Sequence, residues 1–128
     1  MRKRIIILIA VLCLFTVSGT ALAAESFDFT FTPPYAGSMK STLLVRKEAG
    51  TSPYVWPYIS ATPTNYFLSP KQKSATQATN IIQNVSSPGK RYFTYLPGYG
   101  GVDNLLCLSG YPTYYEFTTY RVYGEWSP

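Results

Sequence analysis

Between positions 26 and 32 every second residue is a phenylalanine: Phe27, Phe29 and Phe31 alternate with Ser26, Asp28, Thr30 and Thr32. A period of two puts the three rings on one face of a strand and the polar side chains on the other. Pro33 and Pro34 then end the strand, because neither can donate to a ladder. Residues 42–46 are apolar or β-branched and predict a second strand, followed by a solvated loop over 47–53. Tyr54, Val55 and Trp56 predict a third, which Pro57 makes either an edge strand or a bulge. A further strand is expected at 65–68, after another proline-containing turn.

The stretch 69–80 is polar and has no apolar stripe, so a loop is favoured there over a short helix at 74–80. Strands are predicted at 81–85 and 91–96. Ser87-Pro88-Gly89 between them is a turn signal, and the pair reads as a hairpin. The glycine-rich segment 97–101 reads as a flexible loop, and the apolar run 105–108 as a buried strand. Gly110, Tyr111 and Pro112 turn the chain again. The last strand, 118–126, puts Tyr120, Val122 and Trp126 on one face and Thr119, Arg121 and Tyr123 on the other, which makes Trp126 a core anchor. Seven or eight short strands with turn signals at short intervals predict an all-β chain, a small antiparallel β-sandwich. No internal repeat or linker divides it.

The first 23 residues follow a different pattern. Arg2, Lys3 and Arg4 precede an apolar run over 5–17 that only Thr16 interrupts. Ser18, Gly19 and Thr20 break the run, and Ala21-Leu22-Ala23 supplies the small-x-small pattern of a signal-peptidase site. The run is shorter than the about 20 residues that a membrane-spanning helix needs. A lipoprotein anchor at Cys13 would need a small residue before it, where Leu12 stands. The expectation is a cleaved signal peptide over 1–23 and a single secreted, extracellular β-sandwich domain over 24–128, with no transmembrane anchor after cleavage.

Export changes the charge argument. The full chain is +5, but without Arg2, Lys3 and Arg4 the remainder has eight basic and six acidic residues and is only +2. That excess does not support nucleic-acid binding. The basic residues crowd 36–100, where Glu48 is the one acid. They read either as a basic face for an anionic envelope polymer or as solvated strand edges and loops. Leu, Ile, Val and Phe are sparse, so the core must draw on aromatic residues, of which 12 Tyr and two Trp are available besides Phe.

The chain has no histidine. This removes the usual general base, any Ser-His-Asp or Cys-His arrangement, and the commonest zinc ligand. Once Cys13 is gone, Cys107 stands alone in an apolar run and reads as a small buried hydrophobe. No phosphate loop or calcium ladder is present, and no cofactor, metal or catalytic residue is assigned. Paired carboxylates of the glycosidase type remain formally open for Asp28, Asp103, Glu116 and Glu125. The chain is therefore expected not to be an enzyme. The tyrosines of the second half, Tyr92, Tyr95, Tyr99, Tyr111, Tyr114 and Tyr115, are the candidate ligand contacts, since Tyr joins a flat apolar body to a polar tip. The alternative is that they are ordinary cross-strand partners.

The signal-like start, Thr51-Ser52-Pro53-Tyr54-Val55, Thr64-Asn65-Tyr66-Phe67-Leu68, Lys90-Arg91-Tyr92 and the terminal Val122-Tyr123-Gly124-Glu125-Trp126-Ser127-Pro128 occur in an order that resembles small exported proteins of Gram-positive bacteria of uncharacterised function. These are distantly similar to the lactococcin-like bacteriocins, whose mature chains are small β-sandwiches. The resemblance implies a secreted, non-catalytic protein that interacts with a cell-envelope polymer or a lipid-linked envelope component, in a bacteriocin-like role. It transfers no site residue. The alternative is a carbohydrate- or wall-polymer-binding module that uses surface tyrosines.

Overall fold

The computed structural model describes residues 24–34, 38–114 and 118–128. The expected signal segment, together with Tyr115 and Glu116, lies outside them. Nine strands are described: β1 (Glu25–Phe31), β2 (Lys40–Ser41), β3 (Val45–Arg46), β4 (Tyr54–Ile59), β5 (Thr64–Ser69), β6 (Ile82–Val85), β7 (Arg91–Tyr92), β8 (Leu105–Pro112) and β9 (Tyr120–Ser127). They form two antiparallel sheets. The first has the order β1-β9-β4-β7; the second has the order β2-β8-β5-β6, with β3 also pairing with β8. The sheets pack face to face as a small β-sandwich, as the alternation predicts.

The core follows from period two. β1 buries Phe27, Phe29 and Phe31, and β9 buries Val122 and Trp126 beside them. Tyr66 and Leu68 of β5 and Leu106 and Leu108 of β8 meet them from the second sheet. The rings interlock: Phe27 meets Tyr66 edge-on at 5.8 Å between centroids, and Phe31 lies 5.1 Å from Tyr120. Trp126 is fully buried, as the last strand's pattern requires. Its indole N–H finds no acceptor among the described residues, so its stabilising contribution comes from ring burial alone.

Pro57 marks a bulge, one of its two expected roles: the β4–β9 register shifts between Pro57 and Ile59. Opposite Pro57 lies Gly124, where a Cβ would collide with the Trp56 carbonyl oxygen, so only glycine fits. Three expectations fail. Gly110, Tyr111 and Pro112 do not turn the chain but continue β8, paired with β5 as far as Pro112. The segments at 81–85 and 91–96 are not a hairpin, because β6 pairs with β5 in the second sheet and β7 with β4 in the first. The turn at 87–90 instead carries the chain from one sheet to the other. Lys47 is not a solvated loop residue but is buried, with its ammonium donating to the Thr51 carbonyl (3.0 Å) and hydroxyl (3.2 Å). Burial pushes its pKa down.

Candidate functional site

Alternation along β4 turns Val55 and Pro57 inward and Tyr54, Trp56 and Tyr58 outward. On β9 it turns Val122, Gly124 and Trp126 inward and Arg121, Tyr123 and Glu125 outward. β7 places Tyr92 directly opposite Tyr54. One outer face of the first sheet therefore gathers five aromatic rings: Tyr54, Trp56, Tyr58, Tyr92 and Tyr123. Three of them are open to solvent, Tyr92 at 60% exposed, Tyr58 at 46% and Trp56 at 37%, while Tyr54 and Tyr123 are half-buried between them. Neighbouring rings meet edge to face: Tyr54 and Tyr92 at 6.2 Å, Trp56 and Tyr58 at 5.7 Å, Tyr58 and Tyr123 at 6.4 Å.

Charges are set among the rings. The Tyr54 and Tyr58 hydroxyls both donate to the Glu125 carboxylate, at 2.8 and 2.6 Å. These bonds, the Tyr58 one foremost, hold Glu125 below the usual carboxylate range. Burial, reinforced by Glu125, pushes the Tyr54 hydroxyl up to about 12. The Lys90 ammonium sits 4.1 Å from the Tyr54 ring centroid. At one flank Arg121 forms a two-pronged ion pair with Asp28, at 2.8 and 2.7 Å, while its guanidinium lies 4.7 Å from the Tyr123 ring. The face thus combines flat apolar area with fixed donors and acceptors, and two of its hydroxyls are already oriented by a carboxylate.

Of the six tyrosines singled out in the sequence, Tyr92 alone belongs to this face. Tyr95 and Tyr99 are half-buried against the core. The Tyr95 hydroxyl is buried with no partner among the described residues, and burial pushes its pKa up to about 12. Tyr111 packs edge-on against Phe67 at 6.3 Å, on the far side of the second sheet. Tyr114 is exposed on the turn after β8, and Tyr115 lies outside the described residues. Sequence reading missed Tyr54, Trp56, Tyr58 and Tyr123. A signal was present: Tyr54, Trp56 and Tyr58 alternate with Val55 and Pro57, all three rings on one side. Which strands flank them was not legible.

The carboxylates are already engaged. Asp28 is bound to Arg121, Glu125 to two tyrosines, and Asp103 lies 4.0 Å from Arg46; Glu116 is outside the described residues. Asp28 and Glu125 both have lowered pKa values, the opposite of what a general acid at neutral pH requires. Cys107 is buried, its thiol 3.4 Å from the Ser69 carbonyl, and burial pushes its pKa up, which disfavours the thiolate. Among the described residues no cluster of His, Cys, Asp or Glu could hold a metal ion, and no helix is long and apolar enough to cross a membrane. A cleft of about 400 Å³ lies between β1 and the edge formed by β2 and β3, and none of the five rings lines it. No protein-family model matches the chain, and no curated protein or solved structure matches it.

Proposed function

We propose that the protein is a secreted, non-catalytic binding protein whose outer aromatic face docks a polysaccharide of a cell envelope. The observation that carries this reading is the exposed five-ring face on β4, β7 and β9. A sugar ring has a C–H face that stacks on an aromatic plane and a rim of hydroxyls that need partners. Exposed Tyr and Trp supply the planes, and Glu125, Arg121, Asp28 and the tyrosine hydroxyls supply the partners. An extended, shallow face suits a polymer better than a small molecule, which is usually enclosed in a pocket. The extracellular setting rests on the pattern of residues 1–23.

The test is retention on purified cell-wall polysaccharide. The reading expects saturable retention that soluble oligosaccharide competes away and that Trp56→Ala abolishes. Retention that Trp56→Ala leaves intact overturns it. A bacteriocin-like role, which the sequence resemblance implies, expects instead growth inhibition of target cells with no dependence on Trp56.

A further inference from the structure

Three rings surround the Lys90 ammonium on the aromatic face. Its distances to the ring centroids are 4.1 Å for Tyr54, 5.6 Å for Trp56 and 5.7 Å for Tyr92. Glu125 stands directly opposite Trp56 in the β4–β9 ladder and accepts the hydroxyls of Tyr54 and Tyr58. Gly89, at a φ of 132° that disfavours side-chain-bearing residues, sets the turn that brings Lys90 over these rings. Ring faces carry partial negative charge and attract a cation placed among them, and a nearby carboxylate adds to the field. β4, β7 and β9 together therefore build a cation cage.

We propose that this cage is a binding site for a methylated ammonium group, and that Lys90 is the internal occupant which such a group displaces. The proposal rests on reading this face as the ligand surface, and it names a substituent that the ligand carries.

Three observations point to a ligand rather than to a fixed internal cation. Lys90 is exposed, and among the described residues its ammonium makes no hydrogen bond and no ion pair within 4.0 Å; the Glu125 carboxylate attracts it from farther off, as it would any cation in the cage. An ammonium has three N–H donors that want acceptors, and ring faces serve them poorly. A methylated nitrogen has few or no such donors, and its methyl groups pack on the rings. The walls also stand without Lys90: Tyr54 is held by Tyr92 at its edge and by Glu125 at its hydroxyl, and Trp56 by the edge contact with Tyr58. The other cation of this face, Arg121, is paired with Asp28 over Tyr123 and does not compete for the cage.

The experiment is a titration of the purified protein and of Lys90→Met, which keeps the apolar stem, with tetramethylammonium chloride against sodium chloride at matched ionic strength. Trp126 is buried, so a change in tryptophan fluorescence on binding reports Trp56. Saturable binding is expected in both proteins, about tenfold tighter in Lys90→Met because the competing occupant is gone. The double variant Lys90→Met, Tyr54→Ala should lose it. Absence of saturable binding to Lys90→Met, or binding that Tyr54→Ala leaves unchanged, overturns the proposal. Phosphocholine in solution and phosphatidylcholine vesicles then separate a soluble or polymer-borne group from a lipid headgroup, and binding to either supports the site. Polysaccharide retention is measured on the same samples. Retention without tetramethylammonium binding removes the cage and leaves the polysaccharide reading standing; the reverse result removes that reading and keeps the cage.

Discussion

The two outer faces of the sandwich are treated in opposite ways. On the second sheet, Phe67, Ser69, Cys107 and Ser109 point away from the core and are nevertheless buried. The polar segment 70–77 crosses over that side. Lys71 N–H donates to the Ser69 hydroxyl, Gln72 reaches the Thr42 carbonyl at 2.8 Å, and Lys73 N–H donates to the Ser41 hydroxyl at 2.9 Å. Short hydroxyl side chains on β2 and β5 give the crossing backbone its partners, and Ser109 of β8 bonds the Ser41 hydroxyl from below. Among the described residues, nothing covers the rings of the first sheet in this way. Tyr58 and Tyr92 stay about half exposed or more, and their polar neighbours are bonded to each other instead. Among the described residues one face is therefore covered by a polar segment, while the other keeps its aromatic rings open, and it is on that open face that the proposed docking rests.

The largest expected effect lies beneath both faces. Trp126→Ala removes a fully buried ring and should destabilise the fold by about 3–5 kcal/mol, read by chemical denaturation. A variant that unfolds like the parent would show that Trp126 is not the anchor of the first sheet. Phe67→Ala tests the covered face. Its ring is 1% exposed, so a loss of about 3 kcal/mol is expected, with polysaccharide retention unchanged in the folded protein. Trp56→Ala tests the bare face and should reverse that pattern: a stability loss of under about 1 kcal/mol, but a loss of retention of about tenfold or more. If the Trp56 and Phe67 variants behave alike, the contrast between the faces is wrong.

A smaller effect comes from pH. Glu125 has a depressed pKa in the folded protein. Its stabilising bonds to Tyr58 and Tyr54 are therefore fully present above the unfolded carboxylate range, about pH 4–5, and are lost as pH falls through the depressed value. With the Tyr54 hydroxyl pushed up to about 12, retention should be flat from about pH 5 to pH 9 and fall only in stronger acid. Loss between pH 5 and 8 would mean that another group controls the face. The smallest effect is expected from Asp28→Asn. The Arg121 pair is solvent-exposed, so melting should move little, and less at high salt.

Much of the fold was legible. Phe27, Phe29 and Phe31 announce their strand and its buried side by alternation alone, and Pro57, which cannot donate to a ladder, announces an edge strand or a bulge, of which the bulge is found. The hairpin expected across Ser87-Pro88-Gly89 was not there, since those residues signal a change of direction and say nothing about which sheet the chain enters next. Lys47 shows a similar limit: its burial depends on Thr51, whose hydroxyl also lies 2.8 Å from the carbonyl of Pro128 at the far end of the sequence.

The candidate site divides along the same line. Crowding of tyrosines in the sequence pointed to six residues, but it is not crowding on a surface. Tyr95 and Tyr99 were drawn against the core, and Tyr111 lies on the side of the second sheet that carries Phe67. By itself the sequence determined the all-β class, the inward side of β1 and β9, and the burial of Trp126 and Cys107; its alternation also put Tyr54, Trp56 and Tyr58 on one side of a strand without saying that this side faces outward. Tertiary structure alone decided that β4 lies between β9 and β7, and so set Tyr92, Tyr123, Glu125 and Lys90 around those three rings. The physical reason is that a period of two selects a face, which is a local property of one strand. Neighbours are selected by pairing between segments as distant as β4 and β9, and only the packing of both sheets into one core specifies that pairing.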